Sequence, residues 1–153
     1  MTATSGASAG GPGARMRAVR SVVPGSATGP LIVLDEPLSF WGGLGADGTI
    51  IDVRHPQHGL CLTGAVVALP AVRGSSSSAS VLAEAIRTGT GPVALVMGDA
   101  DAIVVLGAIV AEELYGVTCP IAETGTAGLP RHGVIVDLQL SDHSGTLAVR
   151  EGR

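Results

Sequence analysis

The chain of 153 residues contains no lysine, and all nine of its fixed cations are arginines. That excludes Schiff-base chemistry and a complete P-loop, both of which need the lysine amine. Aromatic residues are nearly as scarce, with one Trp, one Tyr and one Phe. The core must therefore be built from Ala, Val, Leu and Ile, and each aromatic needs its own explanation. Two cysteines, Cys61 and Cys119, are too few to hold an iron–sulfur cluster or a structural zinc unaided, and both read as reduced structural thiols. No apolar run approaches the length of a membrane span: Ala102 to Ala111 stops between Asp99, Asp101, Glu112 and Glu113. The amino-terminal stretch lacks the apolar centre of a signal peptide, so a cytoplasmic protein is expected. Net charge is −4 with no basic cluster, which argues against nucleic acid as a partner.

What the chain has in quantity is small and branched aliphatic residues, with 23 glycines. Its length is that of a single domain able to bury a sizeable core. Residues 1–16 lack periodicity and read as a disordered tail, so the domain is expected over 17–150, with either Met1 or Met16 as the natural start. Strands are expected at Ala18–Val23, Leu31–Leu34, Thr49–Val53, Gly64–Leu69, Val93–Met97, Val117–Ile121, Val134–Leu138 and Thr146–Val149. Residues 25–29 read as a turn. Helices are expected after Ser78, ending at Gly89, and from an Asp99 or Asp101 cap to Gly116. Gly107 and Ala108 in the second helix would admit a close neighbour. This order predicts an α/β domain with β-rich ends. No strand is followed by the Gly-x-Gly-x-x-Gly turn of a dinucleotide site.

The stretch Pro70 to Ser80 is the centre of interest. It places Arg73, Gly74 and five serines between a buried strand and a helix start. Free backbone N–H groups are expected there, at the positive end of a helix dipole, together with hydroxyls and a guanidinium suited to an anion. A second unusual stretch, Asp35 to Gly43, holds the lone Phe40 and Trp41 beside Ser39, Gly42 and Gly43 in an expected loop. An aromatic pair in a chain so poor in aromatics points to a pocket wall or interface. Asp52 lies in the expected strand Thr49–Val53, and Arg54 and His55 follow it in a polar loop with His58, where two histidines without a third ligand read as solvated and no metal site is expected.

These stretches resemble the swivel domain, or small subunit, of the aconitase X family. The resemblance is carried by Glu36-Pro37-Leu38-Ser39-Phe40-Trp41-Gly42-Gly43, Asp52-x-Arg54-His55-Pro56, Arg73-Gly74-Ser75-Ser76-Ser77-Ser78 and Leu106 to Ala111. It implies a swivelling β/β/α fold docked on a large subunit that carries the iron–sulfur cluster, with no cofactor bound by this chain. It also implies a hydro-lyase that is active only as the pair. Family members dehydrate cis-3-hydroxy-L-proline to 1-pyrroline-2-carboxylate, or dehydrate mevalonate 5-phosphate.

Chemically, Ser75, Ser76, Ser77 and Ser78 are equally able to act, and spacing does not choose among them. The resemblance singles out Ser75 as the base, leaving Arg73, Gly74, Ser76, Ser77 and Ser78 to bind substrate. Ser39, Phe40, Trp41, Gly42, Gly43, Asp52, Arg54 and His55 are expected in the cleft or subunit interface. The absence of lysine with only moderate acidity points to a GC-rich bacterial gene, which favours hydroxyproline over the phosphorylated substrate. Two competing readings are a non-catalytic anion-binding module and a phosphohistidine carrier. The carrier needs an exposed histidine at a helix start, which His55, His58, His132 and His143 all lack.

Overall fold

The computed structural model describes residues 16–150 except 73, 74 and 126. Residues 1–15 of the tail expected at 1–16 lie outside the described residues, as do Arg73 and Gly74, and Met16 is corrected from tail to strand, because it pairs with Ala148. Seven strands close into a barrel in the order β1-β5-β4-β3-β2-β6-β7, with β7 returning to pair β1. They are β1 (Met16–Val23), β2 (Gly25–Val33), β3 (Val66–Leu69), β4 (Ala94–Met97), β5 (Ile121–Glu123), β6 (Ile135–Leu140) and β7 (Ser144–Val149). Strands β2, β3, β4 and β5 run parallel, and the remaining pairings are antiparallel.

Two helices, α2 (Ser78–Thr88) and α3 (Ala102–Tyr115), make the crossovers β3–α2–β4 and β4–α3–β5. A short helical turn, α1 (Phe40–Gly43), precedes them, with Trp41 and Gly42 off helical geometry.

The sequence pattern follows from which faces are covered. Strands β3 and β4 are buried at every position. Val66, Ala68, Ala94 and Val96 fill the barrel, while Val67, Leu69, Leu95 and Met97 turn outward into the core shared with the helices. Strands covered on both faces read as unbroken apolar runs. Strand β6 has solvent on one face and alternates, with Val136, Leu138 and Leu140 inward.

Helix α3 begins at Asp101, whose side chain accepts from the Ile103 N–H at 2.8 Å. Both longer helices end at left-handed glycines, Gly89 and Gly116. Val104, Gly107, Ala108 and Ala111 form the buried stripe of α3. A Cβ at Gly107 would stand 2.8 Å from Ala79 O, so this glycine sets how closely α2 and α3 approach.

Three further expectations are corrected. Residues 25–29 are not a turn but the first half of β2, paired with β6 from Gly25↔Leu140 to Pro30↔Ile135. Glycine there reflects crowding, since a Cβ at Gly29 would meet Gly64 O. Thr49–Val53 makes only the isolated bridges Leu44↔Ile50 and Thr49↔Cys61, because no strand lies alongside the rest. The strand expected at Val117–Ile121 begins only at Ile121, beyond Pro120, which has no N–H to give a ladder.

Candidate functional site

The serine loop leaves β3 and enters α2. Ser75 and Ser76 are exposed, Ser77 is half-buried and Ser78 is buried. The backbone N–H of Ser77 donates to Ser75 Oγ at 3.0 Å. Ser78 N–H donates to Ser75 O and Ala79 N–H to Ser76 O. The expectation of free amides is therefore corrected at these three positions, because the loop folds back on its own oxygens. What the helix start offers instead is one exposed hydroxyl held by a backbone donor at the positive end of α2.

Ser78 points inward, and its Oγ accepts from the Trp41 N–H at 3.2 Å. Leu38 and Val72 form a parallel bridge. The serine loop is thus fastened at both ends, Val72 and Ser78, to one segment, Leu38–Trp41. Ser39 Oγ donates to Trp41 O at 2.9 Å and tightens the turn.

Beside this segment lies a cavity of about 570 Å³, lined by Glu36, Pro37, Ser39, Trp41, Gly42, Gly43, Asp52, Arg54 and His55. Most of the residues expected in the cleft therefore meet there. Trp41 is 58% exposed at its wall. Phe40 is the exception and a correction: it is fully buried in the core shared by sheet and helices, so the aromatic pair splits into one core plug and one exposed indole. Glu36 and Pro37 join the cavity although the sequence offered them only as part of a motif. Their place beside Ser39 and Trp41 was the available signal.

The Arg54 guanidinium is 91% exposed and lies 3.8 Å from Asp52, whose Oδ1 also accepts from Arg54 N–H at 2.9 Å.

His55 corrects the expectation of a solvated ring, being only 6% exposed. Gln57 N–H donates to its Nδ1 at 3.0 Å, so Nε2 carries the hydrogen and faces Glu36 O at 3.3 Å. His58, in contrast, is exposed.

The thiols stand apart from this cavity in environment. Cys61 is exposed, and a hydrogen bond with the Thr63 side chain lowers its pKa. Burial pushes Cys119 up to about 12. Among the described residues no three His, Cys, Asp or Glu side chains gather as a metal site, and no helix is long and apolar enough to cross a membrane.

A model of the Aconitase X swivel domain matches residues 16–142. This chain belongs to the aconitase X swivel domain family. It is 46% identical over 107 residues to a cis-3-hydroxy-L-proline dehydratase of Pseudomonas aeruginosa, a match covering 69% of this chain and 18% of that protein. It is also 37% identical over 93 residues to a phosphomevalonate dehydratase small subunit of Methanothermobacter thermautotrophicus, covering 60% of this chain and 71% of that one. The swivel chain thus spans under a fifth of the hydroxyproline dehydratase and most of the small subunit. Its fold superposes on the crystal structure of Thermococcus kodakaraensis aconitase X in its holo-form with a TM-score of 0.76 at 25% identity, covering 88% of this chain and 99% of that chain.

Proposed function

We propose that this swivel domain is the small subunit of an aconitase X-type hydro-lyase, completed by a larger partner, and that Ser75 is its base. The substrate we favour is cis-3-hydroxy-L-proline, dehydrated to 1-pyrroline-2-carboxylate. One observation carries the substrate choice: the 46% identity with a dehydratase of that substrate, against 37% and 40% with two phosphomevalonate dehydratase small subunits.

The chemistry asked of this chain is proton removal from the carbon next to a carboxylate. A serine hydroxyl is a weak base in water, and it needs its alkoxide stabilised by donors already in place. The Ser77 N–H on Ser75 Oγ is such a donor, set at the start of α2. The proton passes to the Ser75 alkoxide as the carbon–carbon double bond forms and hydroxide leaves the neighbouring carbon, and the enamine so formed becomes 1-pyrroline-2-carboxylate by moving its N–H proton to carbon. Ser76 and Ser77, with Arg73 and Gly74, are proposed to hold the carboxylate, and Ser78 to support them from below. Arg54 is the cation of the cavity wall among the described residues.

The partner is proposed to carry the iron–sulfur cluster. The residues described here do not fit one: Cys61 is exposed in a loop, Cys119 is buried, and no third ligand joins either. No step assigned to this chain runs through the cluster.

A second reading keeps the same chemistry with mevalonate 5-phosphate as substrate. It is favoured by the match to a separate small subunit, 71% of which is covered. The test is co-expression with an aconitase X-type large subunit under anaerobic conditions, with both substrates assayed. Turnover of hydroxyproline supports the favoured reading, and turnover of the phosphorylated substrate alone supports the second. Assembly without either activity removes both substrates, and failure to assemble leaves the anion-binding module.

A further inference from the structure

We infer that His55 and Gln57 are positioning residues for the serine loop, acting through the segment Val33–Trp41. The inference rests on the proposed role of the serine loop and deepens it.

The segment that leaves β2 has no strand beside it over Asp35 and Glu36, so its backbone groups need other partners. The Gln57 side chain supplies two of them. Its Oε1 accepts from Asp35 N–H at 2.8 Å, and its Nε2 donates to Val33 O at 2.9 Å. One amide thus imitates a neighbouring strand. His55 continues the ladder, with Nε2 on Glu36 O. The Gln57 N–H on His55 Nδ1 fixes the ring so that its hydrogen faces that carbonyl.

The loop that carries both side chains is itself braced. His55 N–H donates to Asp52 O, His58 N–H to His55 O and Leu60 N–H to Gln57 O, each at 3.1 Å.

The consequence travels along the main chain. Three of the four residues from Val33 to Glu36, all but Leu34, are gripped by the two side chains. Leu34 adds its own N–H bond to Ala68 O at 2.8 Å. The gripped segment then runs through Leu38, bridged to Val72, and Trp41, bonded to Ser78. Those two contacts bracket Ser75 on either side. Movement of the gripped segment would therefore be felt at both ends of the serine loop and in the cavity wall at Glu36, Pro37 and Ser39. Misplacement of a reacting group by about 1 Å can cost about a hundredfold in rate. Neither His55 nor Gln57 needs to touch substrate to have this effect.

Two near-isosteric variants remove one contact each. Gln57→Glu keeps an acceptor for Asp35 N–H but faces Val33 O with an oxygen in place of a donor. His55→Asn keeps an acceptor for Gln57 N–H but loses reach to Glu36 O. In the assembled enzyme each is expected to lower kcat about tenfold to a hundredfold while KM changes less than about twofold. In the full chain alone, residue-by-residue amide exchange is expected to speed at Trp41 with protection of Val67 and Leu95 unchanged.

Unchanged kcat in both variants overturns the inference. So does exchange that rises equally at Trp41 and in β3 and β4, since that marks general destabilisation. An inactive wild-type complex would count against the proposed function, and the exchange pattern would still decide whether the two side chains control the loop.

Discussion

Ser77 gives its backbone N–H to Ser75 Oγ at 3.0 Å, and Ser75 in turn takes the Ser78 N–H on its carbonyl. One residue therefore closes the turn that leads into α2 with both of its oxygens while staying exposed. The same hydrogen bond is the donor that the proposed role of Ser75 as base calls on.

Ser75→Ala is expected to lower kcat of the proposed two-subunit dehydratase by about 10²–10⁴-fold, the usual contribution of a positioned base. Assembly should be unaffected, because the alanine loses only one solvent-exposed hydrogen bond, worth about 1 kcal/mol. Size-exclusion chromatography and turnover measured on the same sample check this. Activity near the wild-type level would remove Ser75 as the base.

Ser78→Ala should act on stability. It leaves the part-buried Trp41 N–H without its acceptor, at a cost of about 1–3 kcal/mol. Ser76→Ala, at an exposed neighbour, should stay within about 0.5 kcal/mol. Urea denaturation of both variants, followed by the emission of the single tryptophan, makes the comparison. Equal midpoints would show that the tie between the two loops carries no weight.

Gly107→Ala sets two effects against each other. Alanine gains about 1 kcal/mol of helix propensity, yet its Cβ would lie 2.8 Å from Ala79 O, a backbone atom that cannot rotate away. Overpacking typically costs about 1–3 kcal/mol, so a net loss is expected, and a larger one for Gly107→Val. Thermal denaturation decides it, and a stabilised Gly107→Ala would mean that the helices can separate freely.

Thiol reactivity should divide the two cysteines. With its pKa near 12, about one Cys119 in ten thousand is thiolate at pH 8. Cys61 is exposed, and its pKa is held below the ordinary value by Thr63. A disulfide reagent at pH 8 should therefore titrate one thiol in the native chain and two after unfolding. As pH falls the fast reaction should slow, because the Cys61 thiolate is lost. Two fast thiols in the native chain would contradict the burial of Cys119.

Legibility in the sequence followed the range of the forces involved. Strands β3 and β4 were readable because helices on one face and barrel on the other make every position apolar. A cap at Asp99 or Asp101 and the Gly89 and Gly116 stops were readable because caps are local, and the structure selects Asp101. The first half of β2 was hidden, because its glycines look like a turn and its partner β6 lies over 100 residues away. The apolar pair Ile50-Ile51 imitated a strand without a neighbour to pair with.

At the site, the meeting of Trp41, Asp52 and Arg54 was anticipated from the motifs. The burial of His55 was not, because it depends on a glutamine two residues on and a carbonyl nineteen residues back.

Barrel closure has one more consequence. With β7 returning to β1, every strand has a paired neighbour on each side over at least part of its length, so among the described residues no strand stands as a free edge to recruit another chain. A companion protein cannot lengthen this sheet and must grip side chains and loops. Such a grip can be released and retaken without breaking a single ladder bond. Excising β7 would undo this at once: β1 and β6 would both become sticky margins, and the fragment should self-associate.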